Sequence, residues 1–263
     1  METWAAVRED AFRQTRVGFD LEGDFNLHRY GRRICLFQIA LEDGRSWLLD
    51  PLSHAFSGPK DWLEFKNWLE NPAICKVIWA AQNDVRALKF CHDIALQGLF
   101  DLFDAARLTA FPRPSLPLLA HRLLGVEFVK QEKWQTSNWN LRPLTSEQET
   151  YAREDVRYLL PLADALEALL LEKRQRNTFD QRMRAVEAFT YREPDMPWLK
   201  VKGAGALFPK QQLALKELWS EREISARTAD LAPWKVLSNE ALLERARKLQ
   251  SPGTSSGKGF AEL

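Results

Sequence analysis

The segment VGFDLEGD, residues 17–24, places acidic side chains at the point where a short apolar run becomes a predicted buried strand. Because side chains alternate between the two faces of a strand, Asp20 and Glu22 point the same way and Leu21 points to the opposite face. Two carboxylates on one face repel each other, and burying either of them unpaired is costly. Basic side chains, open solvent at the strand end or a metal cation are the groups that can compensate that cost.

Two further carboxylates lie at the edges of predicted buried elements. Asp84 follows the apolar run KVIWA (76–80) after three residues, at the first turn of the next predicted helix. Asp155 lies four residues after Tyr151 on another helix, so the carboxylate and the phenol share one face. If these elements pack at one sheet edge, four carboxylates and one phenol converge, a donor set suited to Mg²⁺ or Mn²⁺.

Each acid taken alone also has a structural explanation. Asp20 can be a strand-end residue, Asp84 can be a helix cap, and Asp155 can form an ion pair with Arg153 or Arg157. The combination of all four acids with the phenol in register favours the metal site over these separate explanations.

The elements that must position these residues are read from the spacing of apolar side chains. A helix is predicted over residues 59–71, and alternating helices and strands follow three strands near the start. An Asp-Gly turn signal at residues 43–44 predicts antiparallel pairing of the second and third strands. The pattern predicts an α/β fold with a mixed β-sheet flanked by helices. The predicted strands are RVGFDLE (16–22), ICLFQIAL (34–41), SWLLD (46–50) and KVIWA (76–80).

Helical patterns dominate the second half of the chain. One long helix is predicted from Thr145, which forms a capping box with Gln148, and Pro161 should kink or interrupt it. Residues 192–207 have the Pro and Gly content of a linker, and two amphipathic helices follow it. We therefore divide the chain into a domain at 1–191, a linker at 192–207 and a small all-α domain at 208–263.

Charge and cysteine content favour some classes of protein over others. Residues 1–173 carry 21 Lys and Arg against 25 Asp and Glu, whereas residues 174–263 carry 16 against 11. This balance fits an acidic centre joined to a polyanion-binding tail, and it fits a solvated mixed-charge surface equally well. The cysteines Cys35, Cys75 and Cys91 show no paired spacing, which indicates reduced thiols and a cytoplasmic protein. No signal peptide and no membrane span is predicted.

Three acidic motifs resemble those of a known nuclease superfamily. FDLE, then Asp84 within AAQNDVRAL, then YAREDVRYLLPL resemble the three exonuclease motifs of the DEDD superfamily, and Tyr151 marks its DEDDy branch. The flanking segments ICLFQIA, LFDLFDAARL and KQEKWQTSNWNLRPLTSEQETYA are similar to ribonuclease D, so that the resemblance covers roughly residues 16–170. The tail resembles the first part of an HRDC domain, the small helical module that follows the nuclease in that family.

The resemblance implies a ribonuclease-H-like fold and a 3′–5′ exonuclease that releases nucleoside 5′-monophosphates. It implies that Asp20, Glu22, Asp84 and Asp155 bind two divalent ions, Mg²⁺ or Mn²⁺, and that Tyr151 orients or helps to deprotonate the attacking water. Two such ions can hold the attacking and the leaving oxygens of an in-line displacement at phosphorus.

The chain departs from the family pattern in the first motif. The family commonly has Thr and Phe at the positions of Leu21 and Gly23. Gly23 removes a side chain that could contact the terminal nucleotide.

The polar, tryptophan-containing loop before the third motif is the predicted nucleic-acid contact. It mixes an aromatic side chain that can stack on bases with groups that can bind phosphate. The candidates are Lys130, Ser137, Trp139 and Arg142. Trp139 is equally suited to anchoring the loop in the core.

Three polar residues outside the motifs are interpreted structurally. We expect Gln38 to be a satisfied buried amide, Asp101 to cap or brace the fold, and Asp24 to lie solvated beyond the end of its strand.

The leading functional hypothesis is an exoribonuclease that trims RNA 3′ ends, as in tRNA-precursor processing. Its partner would be the single-stranded 3′ end of RNA, and no obligate protein partner is indicated. A 3′–5′ DNA exonuclease and a non-catalytic nucleic-acid-binding protein are the alternatives, since the same four acids cut either polymer and the 2′-OH decides between them.

Overall fold

The computed structural model describes residues 1–53, 55–109, 111–127 and 132–248 of the 263-residue chain. The chain forms two compact units, the first made of Met1–Phe25 and Arg32–Tyr191 and the second of Asn26–Gly31 and the chain from Arg192 onward.

The first unit is built on a mixed five-stranded sheet in the order β3-β2-β1-β4-β5. The pairs β1–β2 and β2–β3 are antiparallel, while β1–β4 and β4–β5 are parallel. The strands are β1 (Arg16–Phe25), β2 (Arg32–Ala40), β3 (Ser46–Leu49), β4 (Cys75–Ile78) and β5 (Leu99–Asp101). The mixed sheet predicted from the sequence is confirmed. β5 was not predicted, because three residues are too few to show a period of two.

Helices surround this sheet. Those of the first unit are α1 (Trp4–Arg13), α2 (Pro59–Leu69), α3 (Gln82–His92), α4 (Leu102–Leu108), α5 (Leu116–Leu119), α6 (Ser146–Arg157), α7 (Leu159–Glu172) and α8 (Arg176–Glu187). A π-helical turn at Ala120–Leu124 and a 3-10 turn at Glu132–Trp134 lie between α5 and α6.

The buried apolar residues of β1 lie in one large core cluster, whereas those of β2 are divided between this cluster and a smaller one on the opposite face. Phe19, Leu21 and Phe37 belong to a large cluster that includes Trp4 and Phe65, all at 8% exposure or less. Leu36 of β2 and Leu48 of β3 belong to a smaller cluster with Trp139 and Tyr151. The second face is therefore the one that receives the predicted catalytic tyrosine.

The long helix predicted from Thr145 is interrupted at Tyr158, between α6 and α7. Pro161 lies in the first turn of α7, where the missing N–H of proline costs nothing. The predicted capping box is present, with Thr145 Oγ1 accepting from the Gln148 amide and Gln148 Oε1 accepting from the Thr145 amide.

The second unit contains the helices α9 (Pro209–Ala229), α10 (Pro233–Val236) and α11 (Asn239–Lys248), preceded by 3-10 turns at Pro197–Lys200 and Ala204–Ala206. Its core includes Val201, Ala204 and Leu207 together with Leu215 and Leu242. The second half of the segment interpreted as a linker thus packs into this helical unit.

Within the described part of the chain, no helix is long and apolar enough to cross a membrane.

Candidate active site

Strand β1 presents the first two acids on one face. Asp20 lies opposite Gln38 of β2, and Glu22 lies opposite Leu36. Both acidic residues are partly exposed, whereas Leu21 between them is buried in the large core cluster. The alternation expected from a period of two thus places the two carboxylates on the face that carries Leu36.

Helix α6 brings the third motif to this face. Tyr151 and Asp155 are 8% and 3% exposed, and α6 contacts β1, β2 and β3. Gly18 permits the close approach of the helices to β1, because a Cβ at this position would lie 3.3 Å from the Leu159 Cβ and from the Val156 carbonyl oxygen. A larger residue at position 18 would push the third motif away from the first.

Four of the five predicted site residues interact electrostatically. Burial raises the pKa of Tyr151 well above its ordinary value, and the charge of Asp155, its hydrogen bond with the phenol, and the charges of Glu22 and Asp20 raise it further. The phenol is therefore neutral at neutral pH and donates its hydrogen bond to the Asp155 carboxylate. The first and third motifs, more than 120 residues apart in the chain, form one site.

Asp84 lies in the first turn of α3 and is 9% exposed. Helix α3 follows β4, which runs parallel to β1 with Gly18 opposite Val77. The carboxyl ends of adjacent parallel strands lie at the same edge of a sheet, so the topology places Asp84 at the edge that carries Asp20 and Glu22.

The arginines that flank Asp155 on α6 are engaged with other groups. Arg153 Nη1 donates to the Ser46 carbonyl oxygen at 2.6 Å, and its Nη2 lies 3.4 Å from Glu2 Oε1. Arg157 Nη1 lies 2.8 Å from Glu154 Oε1. The alternative explanation of Asp155 as an ion-pair partner of either arginine is therefore not supported.

The donor chemistry of this site fits a hard divalent cation, because its four acidic side chains offer carboxylate oxygens, the ligands that Mg²⁺ and Mn²⁺ prefer. Among the described residues, no group of three or more His, Cys, Asp or Glu side chains forms a ready-made metal centre. The site therefore supplies the ligand types that such a cation prefers.

Two of the four predicted nucleic-acid contacts make contacts inside the loop before α6. Trp139 is 1% exposed, and its indole nitrogen donates to the Trp134 carbonyl oxygen at 3.1 Å. The guanidinium of Arg142 binds the buried carboxylate of Asp50 through two nitrogens and donates to the Cys35 carbonyl oxygen at 2.7 Å. Trp139 is therefore inaccessible to a base and anchors the loop, whereas Arg142, whose side chain is 22% exposed, stays a prediction as a phosphate contact.

The other two predicted contacts have different outcomes. Ser137 is partly exposed, and its Oγ accepts from Gln148 Nε2 at 2.9 Å. Its hydroxyl keeps a proton to donate, so Ser137 stays a prediction. Lys130 lies outside the described residues.

The structure reverses two interpretations of polar residues near the site. Asp24 is 1% exposed, because β1 continues to Phe25, and Asn140 Nδ2 donates to its carboxylate. Gln38 is fully buried opposite Asp20, and neither its Oε1 nor its Nε2 has a hydrogen-bond partner among the described residues. Asp24 is thus not solvated, and Gln38 is not a satisfied amide.

Gly23 is required by the backbone around it. A Cβ at this position would lie 2.9 Å from the Arg33 carbonyl oxygen and 2.6 Å from the ring of Phe25. The local backbone therefore leaves no room for the phenylalanine that is common at this position in the family.

Asp101, which we expected to cap or brace the fold, does both. It caps α4 by accepting from the Phe103 amide, and it accepts from the amides of Ala80 and Ala81. Burial raises its pKa to about 6, against the lowering effect of these three donors. Sequence reasoning missed its link to the turn before Asp84, although an acid at the end of an apolar run was a visible signal.

A mixed sheet flanked by helices, with acids from β1, α3 and α6 on one side, defines a ribonuclease-H-like exonuclease fold. The family model described as 3′–5′ exonuclease matches residues 3–171. The chain belongs to this 3′–5′ exonuclease family, and the resemblance of its nuclease region to ribonuclease D is confirmed.

Three known proteins illustrate the similarity. The exosome complex exonuclease RRP6 of Saccharomyces cerevisiae is 28% identical over 255 residues, which are 90% of this chain and 34% of the relative. A ribonuclease D of Xanthomonas oryzae is 29% identical over 91% of this chain and 64% of its own. The crystal structure of Escherichia coli RNase D, titled an exoribonuclease involved in structured RNA processing, superposes with a TM-score of 0.73 at 26% identity, covering 93% of this chain and 64% of that one.

The chain spans about a third of the yeast relative and less than two thirds of these ribonuclease D chains.

Proposed function

We propose that this chain is a metal-dependent 3′–5′ exoribonuclease that releases nucleoside 5′-monophosphates from RNA 3′ ends. The observation that carries the proposal is geometric, because α6 packs on the sheet and brings the buried Tyr151 and Asp155 to the face of β1 that carries Asp20 and Glu22. The raised pKa of Tyr151 agrees with this proximity. The similarity to ribonuclease D and RRP6 favours RNA over DNA as the polymer.

Asp20, Glu22, Asp84 and Asp155 would hold two divalent ions, Mg²⁺ or Mn²⁺, in the proposed active enzyme. Members of this exonuclease family generally use divalent metals. Such ions, when bound, supply the positive charge that activates the nucleophile and stabilises the leaving oxygen.

Tyr151 would orient the attacking water rather than act as a strong base. A phenol with a raised pKa keeps its proton, and in the free enzyme that proton is directed at Asp155. The hydroxyl oxygen can at the same time accept a hydrogen bond from water. The pair thus fixes the direction of a water at the site and leaves proton removal to the carboxylates and bulk solvent.

The second unit would be an HRDC-like domain that adds affinity for RNA. It would include residues 208–263 and also the second half of the predicted linker at 192–207, which packs into its core. The helices α9 to α11 around a small apolar core and the excess of basic residues from position 174 onward support this assignment. RNA precursors with single-stranded 3′ ends, such as tRNA precursors, are the proposed substrates.

The test is digestion of matched 5′-labelled RNA and DNA oligomers by the wild type and by Asp20→Asn and Asp155→Asn. We expect the wild type to shorten RNA from the 3′ end with Mg²⁺ or Mn²⁺ and to stop in EDTA. Each substitution should lower the rate by at least about 10³-fold with the fold retained, because an amide is a poorer ligand than a carboxylate.

Glu154→Gln is the matched control, since Glu154 precedes Asp155 on α6 and pairs with Arg157. It should digest RNA at the wild-type rate. Preferential digestion of DNA would establish the DNA exonuclease instead, and binding without digestion would establish a non-catalytic nucleic-acid-binding protein.

A further inference from the structure

The turn that carries Asp84 to the site has an unfavourable backbone. Ala80, which precedes α3, has a φ of +56°, a backbone conformation that residues other than glycine rarely adopt. Ala81 is the N-cap of α3, and its side chain cannot supply the hydrogen bond that normally fixes a helix start. The local sequence therefore does not hold this turn by itself.

The Asp101 carboxylate supplies the missing support from a neighbouring strand. Its Oδ1 accepts from the Ala80 amide at 2.9 Å, and its Oδ2 accepts from the Ala81 amide at 2.9 Å. Oδ1 also accepts from the Phe103 amide at 2.9 Å, and the side chain is 4% exposed. Capping α4 needs only the Phe103 bond, so two of the three bonds serve a different element.

Few residues separate this carboxylate from Asp84. The Ala81 carbonyl oxygen accepts from the Val85 amide at 2.9 Å, which is the first bond of α3, and Asp84 lies within that turn. We propose that Asp101 is a positioning residue that sets the place of the Asp84 carboxylate through the Ala80–Ala81 turn. This inference rests on the proposed function, because it assigns Asp101 a role only if Asp84 is a metal ligand.

Asp101→Asn tests the proposal because it replaces one carboxylate oxygen with an NH₂ group of nearly the same size. The remaining oxygen of asparagine can still accept from the Ala80 and Phe103 amides, but its NH₂ group faces the Ala81 N–H and cannot accept from it. We expect the dissociation constant for Mn²⁺, measured by titration calorimetry on the full chain, to rise about 10-fold or more, as is typical when a group that orients a ligand is lost. The kcat on RNA should fall, with KM nearly unchanged.

Asp104→Asn is the matched control, because Asp104 lies on α4 and contacts Arg182 at 3.3 Å. It removes one negative charge close to Asp101 and leaves the hydrogen bonds of the Ala80–Ala81 turn in place.

If Asp101→Asn fails to fold, the double variant Ala80→Gly/Asp101→Asn is used, because glycine relieves the positive φ. This double variant should fold and show the same weakened Mn²⁺ binding.

Asp84→Asn distinguishes a failure of the positioning role from a failure of the metal site. If Asp101 acts through Asp84, adding Asp101→Asn to Asp84→Asn should change Mn²⁺ binding by less than about 2-fold. Wild-type Mn²⁺ affinity in Asp101→Asn, with only a lower melting temperature, would overturn the positioning role alone. If Asp84→Asn itself leaves Mn²⁺ binding unchanged, the proposed metal site is wrong.

Discussion

The tyrosine of the site differs from an ordinary surface tyrosine in what surrounds its hydroxyl. Its ring packs with Trp139 at a centroid distance of 6.2 Å, and its oxygen faces the negative charges of Asp155, Glu22 and Asp20. Burial and negative charge both oppose ionisation, because a phenolate would be poorly solvated and repelled. The phenol therefore keeps its proton at neutral pH and donates a hydrogen bond to Asp155.

Removing this hydroxyl should affect the reaction more than the fold. In Tyr151→Phe the ring stays in its cluster, so we expect a loss of about 1 kcal/mol of unfolding free energy for one hydrogen bond and a fall in kcat of about 10- to 100-fold. Urea unfolding and the rate of nucleotide release measure the two effects. Full activity in Tyr151→Phe would contradict an orienting role for the phenol.

The buried amine of Lys76 predicts a pH dependence of stability. Burial lowers the pKa of Lys76 from 10.5 to about 7, and its Nζ donates to the carbonyl oxygens of Asn71 and Gln97 at 2.7 and 3.0 Å. Between these two pKa values the unfolded chain holds the proton and the folded chain does not. The contribution of Lys76 to the free energy of unfolding therefore rises with pH from about 7 to about 10, by at most about 1.4 kcal/mol per pH unit.

Lys76→Met is the variant that isolates this effect, since methionine fills a similar volume without a charge. Both proteins are unfolded with urea at pH values from 6 to 10. Above pH 7, the unfolding free energy of the wild type should rise relative to that of Lys76→Met. Parallel stability profiles over this range would contradict the lowered pKa.

At the scale of elements, the loop before α6 is held by a buried ion pair. Arg142 binds Asp50, the residue that follows β3, and also donates to the carbonyl oxygens of Trp139 and Cys35. Burial opposes ionisation of Asp50, but the hydrogen bonds and charge of Arg142, together with hydrogen bonds from Leu52 and Ser53, outweigh it, so the pKa of this carboxyl lies below its ordinary value. The pair connects the loop before α6 to the end of β3.

Breaking one half of this pair should be worse than replacing both halves. We expect Arg142→Gln to lower the unfolding free energy by about 3–5 kcal/mol, because it leaves the Asp50 charge buried without its partner. Adding Asp50→Asn should recover part of this loss in a double-mutant cycle measured by urea unfolding. A single variant as stable as the wild type, but with weaker RNA binding, would instead restore Arg142 as a phosphate contact.

At the scale of the whole molecule, charge is distributed unevenly along the chain. The acids of the site and most other acids lie before residue 174, and the excess of basic residues follows it. The second unit carries exposed lysines such as Lys202 and Lys210, which lie before and at the start of α9. Such a distribution suits a polymer that is bound electrostatically over a long stretch and cut at one end.

The salt dependence of RNA binding tests this division. Lys202→Glu combined with Lys210→Glu should weaken binding and reduce the slope of log affinity against log salt, by about 0.7 for each phosphate that is no longer neutralised. The control is Lys60→Glu on α2, whose side chain is 81% exposed, and it should leave the slope unchanged. Equal slopes for the wild type, the double variant and Lys60→Glu would show that Lys202 and Lys210 do not bind RNA phosphates.

The sequence by itself determined the features that depend on local periodicity. The spacing of Asp20 and Glu22 on a strand, that of Tyr151 and Asp155 on a helix, and the Thr145–Gln148 capping box all follow from repeats of two or about four residues. These local rules, together with the motif resemblance, were sufficient to predict the mixed sheet and the nuclease family.

Only the tertiary structure decided which polar groups meet. The Arg142–Asp50 pair, the Asn140–Asp24 bond and the hold of Asp101 on the turn before Asp84 join residues between 20 and 116 positions apart. Each depends on how loops close over the sheet, which no repeat in the chain encodes. Arginine and tryptophan in a polar loop therefore suggested nucleic-acid contacts, whereas in the folded protein Trp139 is buried and the partly exposed Arg142 binds Asp50.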